Sequence, residues 1–151
     1  MAGKSTVDIA KAQVIAYNDR NWEAVRASLA PRVVYDEVGT RRRIEGVDEV
    51  ISAWRGWATA LPDSRATFDS THVSGETAIL ELTWRGTHKG VLQTPGGEIA
   101  ATGKQIEVRG CQVIEVAGDN VKSIRHYFDM TTLLQQIGAI GERAAAHGST
   151  R

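Results

Sequence analysis

Hydrophobic residues recur with a helical period along the first 61 residues of the chain. Val7, Ala10, Val14 and Tyr17 share one stripe behind Ser5, which resembles a capping-box N-cap. Two further helical stripes follow, with an extended segment, RVVYDEVG, between them. Their apolar positions are Trp22, Val25 and Leu29 in a short helix, and Val47, Val50, Ile51, Trp54, Ala58 and Leu61 in a longer one, with Trp57 one turn from Trp54. The pattern predicts three helices and one strand in this part of the chain.

From Arg65 onward the hydrophobic period changes to two, which is typical of half-buried strands. Strands are predicted in AILELTWRG, in KQIEVRGCQVIEV and in VKSIRHYFD, and the last two flank the turn AGDN. The segment TPGGEIAATG is rich in Gly and Pro and predicts a loop. One strand face holds Leu80, Leu82 and Trp84, then Val108, Gly110, Gln112 and Ile114, then Ile124, His126 and Phe128. A last helix, MTTLLQQIG, is predicted to end at Gly138.

Helices followed by a run of antiparallel strands predict an α+β fold rather than an alternating α/β fold. We expect a curved, mostly antiparallel sheet packed on three N-terminal helices, which together form a cone with an apolar pocket. A chain of 151 residues suits a single domain. The prediction is one domain over residues 1–140 and a flexible C-terminal tail over residues 141–151.

Composition excludes several classes of function. The 18 basic and 18 acidic residues are spread along the chain, so no electrostatic footprint of a nucleic-acid binder is present. No apolar run approaches the ~20 residues that span a bilayer, and the N-terminus lacks the apolar core of a secretory signal. Cys111 is the single cysteine. We therefore expect a soluble cytoplasmic protein with no nucleic-acid or membrane partner.

Motifs for metals and nucleotides are missing from the sequence. The histidines do not pair with carboxylates or with each other at metal-ligand spacing. No glycine-rich loop leads from a predicted strand into a helix, and the run Arg41–Arg43 is typical of a solvated turn. The prediction is no metal, no nucleotide and no other cofactor.

Several motifs resemble those of SnoaL-like proteins, a family of the nuclear transport factor 2-like superfamily that also includes ketosteroid isomerase. They are WRGTHKG at 84–90, ATGKQIEVRG at 101–110, YFDMTTLLQQIG at 127–138 and YNDRNWEAVRASLAP at 17–31. The resemblance extends from about residue 7 to residue 138. It implies the cone-shaped fold, and this fold hosts isomerases, cyclases, dehydratases, hydrolases and non-catalytic binders.

The resemblance also assigns positions to the family's catalytic groups. The cyclases' acid/base Asp falls at His126, and a second Asp three residues later matches Asp129. The Gln and His on the cyclases' preceding strand fall at Gly110 and Gln112. All the acid/base groups of the cyclases are therefore replaced in this chain.

Ketosteroid isomerase offers a second set of positions. Its Asp base matches Asp36, and its oxyanion-hole Tyr and Asp fall at Gln13 and Gln112. Two glutamines polarise a carbonyl less strongly than a phenol or a neutral carboxylic acid.

Strand alternation places His126 toward the pocket and Asp129 on the opposite face. Histidine has an ordinary pKa of about 6.5, which suits a general base, while the alternative is a packed, hydrogen-bonded side chain. Gln112 is expected to bind ligand or a neighbouring side chain. Asp36 is either a carboxylate at the pocket mouth or a turn former. Asp129 precedes a predicted helix and is expected to cap it.

Aromatic residues and one amide are predicted to form the wall that binds substrate, with simple core packing as the alternative. They are Gln13, Tyr17, Trp54, Trp57, Trp84 and Phe128. Arg109, Cys111 and Val113 alternate onto the outer sheet face, where Cys111 and Val113 are apolar for a solvated surface. We expect that face to form a homodimer contact.

These observations favour a cofactor-independent enzyme that moves protons on a mostly apolar, carbonyl-containing substrate, with His126, Asp36 and Gln112 as catalytic residues. A non-catalytic binder of a hydrophobic small molecule is the first alternative. The second is water addition of the epoxide-hydrolase type, which requires a carboxylate–arginine network. Arg109 or Arg125 bonded to Asp36 inside the pocket would favour that alternative.

Overall fold

The computed structural model describes residues 4–140. Four helices, α1 to α4, and eight strands, β1 to β8, occur in these residues. In chain order they are α1 (Thr6–Asn18), α2 (Trp22–Ser28), β1 (Leu29–Glu37), β2 (Arg42–Glu45), α3 (Val47–Ala60), β3 (Arg65–Ser74), β4 (Thr77–Thr87), β5 (Leu92–Thr94), β6 (Gly97–Ile99), β7 (Gln105–Ala117), β8 (Asn120–Phe128) and α4 (Met130–Gln136).

Side-chain caps fix where three of the helices begin. Ser5 accepts a hydrogen bond from the Asp8 amide at 3.0 Å, and Asn21 accepts one from the Ala24 amide at 3.1 Å. Asp129 accepts the Thr132 amide at 3.1 Å and the Thr132 hydroxyl at 2.6 Å. The hydroxyl bond lowers the pKa of Asp129 and keeps its carboxylate charged at the N-terminus of α4. Asp129 is a helix cap, as predicted.

Six strands form one sheet in the order β2-β1-β8-β7-β4-β3. All neighbouring pairs are antiparallel except β1 and β8, which run parallel. The register of β1 on β8 shifts between Leu29 and Val34, a stretch that contains Pro31, which has no N–H for the ladder. Gln112 on β7 lies directly opposite His126 on β8. Topology thus brings two predicted site residues side by side.

The apolar face of the sheet packs against helices. α1 contacts β3, β4, β7 and β8, whereas α3 contacts β1 and β2. The larger buried cluster joins these helices to the sheet centre, and a second cluster lies under α4 and the β5–β6 hairpin. Trp84 packs against both clusters. The predicted α+β fold, a curled and mostly antiparallel sheet on N-terminal helices, is confirmed.

Two short elements differ from the sequence expectation. The sequence predicts a turn at the arginine run, yet Arg42 and Arg43 begin the edge strand β2. An edge strand exposes most of its side chains, so its charged residues give no hydrophobic alternation. Part of the segment predicted as a loop forms strand β6, which pairs with β5 in a hairpin, whereas residues 100–103 are loop as predicted. The predicted tail, residues 141–151, lies outside the described residues.

The outer face of the sheet is open to solvent in the single chain. Cys111 and Val113 lie there, each partly buried, and the predicted homodimer contact through this face stays a prediction. Within residues 4–140 no helix is long and apolar enough to cross a membrane. The cytoplasmic location likewise stays a prediction.

Candidate functional site

A cavity of about 80 Å³ lies between α1, α3 and the inner face of the sheet. Eight of the nine predicted site residues line it, namely Gln13, Tyr17, Trp54, Trp57, Trp84, Gln112, His126 and Phe128. The remaining wall is mainly aliphatic or aromatic, with Tyr35 and Ser64 as its further polar members. An apolar cavity with few convergent polar groups is typical of small-molecule sites.

His126 occupies the middle of an aromatic network. Its Nδ1 lies 2.8 Å from the Tyr35 hydroxyl, and its Nε2 lies 3.3 Å from the Trp84 indole nitrogen. The Phe128 ring centroid is 4.9 Å from the imidazole centroid. Burial in this apolar setting lowers the pKa of His126 to about 4, although the nearby Glu37 carboxylate acts in the opposite direction. His126 is therefore neutral at neutral pH.

The partners of His126 also fix its tautomer. An indole N–H is only a donor, so Nε2 of His126 must be the unprotonated acceptor. The proton of the neutral ring is then on Nδ1, which donates to the Tyr35 oxygen. The lone pair on Nε2 faces Trp84 and Gly110, and a Cβ added at Gly110 would lie 3.2 Å from that nitrogen. The basic nitrogen of His126 is therefore Nε2, and it lies next to Trp84 on β4 and Gly110 on β7.

Gln112 is buried and leaves one hydrogen-bonding group uncommitted. Its Oε1 accepts a 2.7 Å bond from Nε2 of Gln13, which also donates to the Ala10 carbonyl at 3.0 Å. Within the described chain, the Gln112 Nε2 makes no hydrogen bond to protein. Two amide N–H groups beside His126 are therefore free to bind an oxygen of a ligand.

Asp36 is the exception among the predicted site residues. It lies in a groove on the outer face of the sheet, between Arg43 on β2 and Arg125 on β8. This placement corrects the expectation of an Asp36 carboxylate at the cavity mouth. The reason is strand parity, because Tyr35 points inward and its neighbours in sequence must point outward.

The buried carboxylate near the cavity belongs to Glu37. Its Oε1 accepts bonds from Arg42 Nε at 2.9 Å and Nη2 at 2.7 Å, and from the Thr40 hydroxyl. Its Oε2 accepts the indole N–H of Trp57 at 2.8 Å. Both oxygens are thus occupied by protein donors, so Glu37 fixes the cavity wall at Trp57.

Sequence reasoning missed Glu37, Tyr35 and Ser64. The first two were available from alternation, since Val33, Tyr35 and Glu37 share the inner face of β1. Ser64 lies between α3 and β3, where no period applies, and only the tertiary structure brings it to Tyr17. The resemblance to ketosteroid isomerase assigned the base to Asp36, whose side chain points to the opposite face of β1 from Tyr35 and Glu37.

The network required for water addition does not form around Asp36. Arg125 bonds Glu115 at 3.0 Å, and Arg109 lies 3.7 Å from Asp69. Neither arginine lines the cavity. In the part of the chain that the structure describes, no group of three or more His, Cys, Asp or Glu residues is placed to hold a metal ion.

Gly39 gives a test of how tightly the cavity wall is packed. A Cβ at Gly39 would lie 2.7 Å from a Phe128 ring carbon and 2.8 Å from the Phe128 carbonyl oxygen. The Phe128 backbone would have to move to make room for this Cβ. We therefore expect Gly39→Ala to lower the free energy of unfolding by about 1–3 kcal/mol in urea denaturation. The control Gly56→Ala meets nothing within 4 Å on α3 and is expected to raise it by up to about 1 kcal/mol. Equal effects of the two substitutions would contradict the close packing.

Comparison with known proteins shows which family model and which solved structures this chain is similar to. The model of the SnoaL-like polyketide cyclase family matches residues 7–137. The solved structure of TsrD from Streptomyces laurentii is similar, with a TM-score of 0.75 and 22% identity over 93% of this chain and 100% of that one. IdmH, a putative polyketide cyclase from Streptomyces antibioticus, has a TM-score of 0.76 and 21% identity over 89% and 99%.

A third similar structure is AclR, a putative hydroxylase from Streptomyces galilaeus. Its TM-score is 0.75, with 17% identity over 90% of this chain and 97% of that one. No curated protein matches the chain significantly. At these identities the solved structures establish the fold.

Proposed function

Because the chain belongs to the SnoaL-like polyketide cyclase family, we propose that it is a cofactor-independent acid/base catalyst for a mostly apolar, carbonyl-containing substrate. Family membership supports a cyclase- or isomerase-like role in general. The proposal adds residues and a sequence of proton transfers to that role. It assigns His126 as the base and Gln112 as the donor to the substrate oxygen.

The observation that carries the proposal is the pairing of His126 with Gln112 on the cavity floor. They lie opposite one another on β8 and β7, where Cβ atoms of such pairs are about 4.5–5.5 Å apart. One offers an unprotonated nitrogen and the other a free amide N–H. A carbonyl bonded to Gln112 would place its α-carbon beside the imidazole.

The reaction begins with transfer of a proton from the α-carbon to Nε2 of His126. The electron pair of the broken C–H bond moves into the enolate, whose oxygen accepts a hydrogen bond from Gln112. In an isomerisation, the imidazolium returns the proton to a different carbon. In a cyclisation, the enolate carbon bonds a second carbonyl carbon, and the resulting alkoxide takes the proton back.

Trp84 acts at the moment His126 changes protonation state. Its indole N–H bonds the Nε2 lone pair, but at 3.3 Å this bond is long and easily displaced. When Nε2 gains a proton, the indole N–H is released and becomes a second donor for the enolate oxygen. A base with a pKa near 4 is weak, so the substrate proton must be acidified by its carbonyl group together with a second activating group, such as another carbonyl or an aromatic ring.

A second candidate function is non-catalytic binding of a hydrophobic small molecule. The observation that favours it is the complete bonding of His126, whose two nitrogens both have protein partners. Catalysis requires Trp84 to give up its bond, whereas binding requires no change. The two functions differ in whether a bound ketone exchanges its α-protons.

The test uses 2-tetralone, an apolar ketone whose C1 protons are acidified by both the carbonyl group and the aromatic ring. Binding is followed by quenching of tryptophan fluorescence, and deuterium exchange in D₂O is followed by proton NMR. We expect the protein to accelerate exchange and His126→Asn to lower the rate at least tenfold. His126→Asp places the carboxylate of the related cyclases at this position and is expected to retain exchange.

His72→Asn serves as the matched control, because His72 is exposed on β3, away from the cavity. It should leave the exchange rate unchanged. Quenching without accelerated exchange would reject the catalytic proposal and support the binder. Exchange that survives His126→Asn at the full rate would remove His126 from the mechanism.

A further inference from the structure

At the end of the cavity lined by α1 and the α3–β3 turn, two hydroxyl groups bond each other. Tyr17 Oη and Ser64 Oγ are 2.7 Å apart, and both residues are buried and line the cavity. Ser64 Oγ also accepts a 3.1 Å bond from Arg20 Nη2. Within residues 4–140 neither hydroxyl has another hydrogen-bond partner.

Counting hydrogens shows that one donor is left over. A bond between two hydroxyl groups consumes one hydrogen, and the guanidinium supplies its own hydrogen to Ser64. Whichever hydroxyl donates within the pair, the hydrogen of the other has no acceptor in the described protein. Since a buried donor without a partner is costly, this hydrogen is available to an oxygen inside the cavity.

Arg20 holds this pair in place. Its guanidinium bonds the carbonyl oxygens of Tyr17 at 2.8 Å and Pro62 at 2.7 Å, and lies 4.5 Å from the Tyr17 ring centroid. Arg20 itself has a φ of 56°, a left-handed conformation that non-glycine residues rarely adopt. Such strain persists where surrounding contacts determine the geometry. A fixed positive charge behind Ser64 also strengthens the donor that the pair presents.

We propose that Tyr17 and Ser64, backed by Arg20, form a second hydrogen-bond-donating subsite, which anchors a second oxygen of an apolar ligand. The inference rests on the proposed function in taking the same cavity as the ligand site, but it does not require His126 to move a proton. Burial raises the pKa of the Tyr17 phenol, so the phenol stays protonated and can donate at neutral pH.

The helix α1 contacts both subsites. Gln13, which bonds Gln112, and Tyr17 are four residues apart on one helix face, so their Cβ atoms are about 5–6 Å apart. The ligand class is therefore a compact, apolar compound with two oxygen functions, one for each subsite. One oxygen binds at Gln112, and the other binds at the hydroxyl pair.

Two probes that differ by one carbonyl test the subsite. 1-Decalone has one oxygen, and decalin-1,5-dione has one on each ring of the same apolar skeleton. Dissociation constants are measured by tryptophan fluorescence quenching at pH 7. We expect the wild-type protein to bind the dione about fivefold to tenfold more tightly, which is the effect of one additional hydrogen bond.

The variants remove the two hydroxyl groups of the subsite, first one at a time and then together. Tyr17→Phe leaves the Ser64 hydroxyl free, and Ser64→Ala leaves the Tyr17 hydroxyl free, so each single variant should retain most of the preference. The double variant Tyr17→Phe/Ser64→Ala has no donor and should bind both probes equally. Ser28→Ala is the matched control, because the buried Ser28 hydroxyl already donates to the Val25 carbonyl at 2.7 Å outside the cavity.

Unchanged binding of 1-decalone verifies that the double variant keeps its cavity. A double variant that keeps the wild-type preference for the dione would overturn the subsite, as would a wild-type protein without that preference. If His126→Asn loses proton exchange but keeps the preference for the dione, catalysis by His126 and binding at the hydroxyl subsite are shown to be separate. Exchange that does not depend on His126 would reject the catalytic assignment and leave the subsite standing.

Discussion

Arg42→Met is expected to lower the free energy of unfolding by about 3 kcal/mol at pH 7. The substitution leaves the Glu37 carboxylate, which is fully buried, without its charged partner. Removing one member of a buried ion pair costs about 3–5 kcal/mol, because the remaining charge stays desolvated. The lower end applies here, since the Arg42 side chain is 44% exposed and water can enter where it was. Urea denaturation followed by circular dichroism measures the change.

Arg26→Met is the matched control for this experiment. Arg26 bonds Asp48 at 2.8 Å, close to the 2.7 Å of the Arg42–Glu37 pair. The side chain of Arg26 is 53% exposed, however, and that of Asp48 is 78% exposed. Exposed ion pairs contribute about 0–1 kcal/mol. Equal losses from Arg26→Met and Arg42→Met would show that Glu37 is not held as a desolvated anion.

The double variant Glu37→Gln/Arg42→Met separates lost charge pairing from lost packing. The amide oxygen can still accept the indole N–H of Trp57, and the amide NH₂ can donate to the Thr40 hydroxyl, so little is left unsatisfied. We expect the double variant to recover most of the loss caused by Arg42→Met. A double variant as unstable as Arg42→Met alone would contradict the electrostatic explanation.

Strand alternation accounts for how much of the site was predictable. His126, Gln112, Trp84 and Phe128 all lie in strands with regular hydrophobic alternation, and all four line the cavity as placed from the sequence. The single misplaced residue, Asp36, came from a family position rather than from the phase of its own strand. Strand alternation therefore predicted which side chains face the cavity wherever the strand is regular.

Contacts between elements were not predictable in the same way. The bond of Tyr17 to Ser64 joins residues 47 positions apart, and that of Tyr35 to His126 joins residues 91 apart. Side-chain partners at such separations depend on the crossing of α1 over the sheet and on the parallel pairing of β1 with β8. The edge strand containing Arg42 was missed because exposed charged residues carry no hydrophobic period.

The low pKa of His126 predicts a stability loss of about 3 kcal/mol between pH 7 and pH 4. In the unfolded chain histidine has an ordinary pKa of about 6.5, whereas burial lowers it to about 4 in the folded protein. Between these values the unfolded state binds a proton that the folded state does not. Stability from this group is therefore complete above about pH 6.5, decreases as the pH falls, and is lost below about pH 4.

Urea denaturation across this range measures the effect as the difference between wild-type protein and His126→Asn, since carboxylates contribute to both. The wild-type curve should fall more steeply, and the gap between the two should change by about 3 kcal/mol from pH 7 to pH 4. His72→Asn, at an exposed position, should run parallel to the wild type. Parallel curves for His126→Asn would show that His126 takes up its proton in the folded protein as readily as in the unfolded one. The neutral imidazole on which the proposed catalysis depends would then be lost at mildly acidic pH.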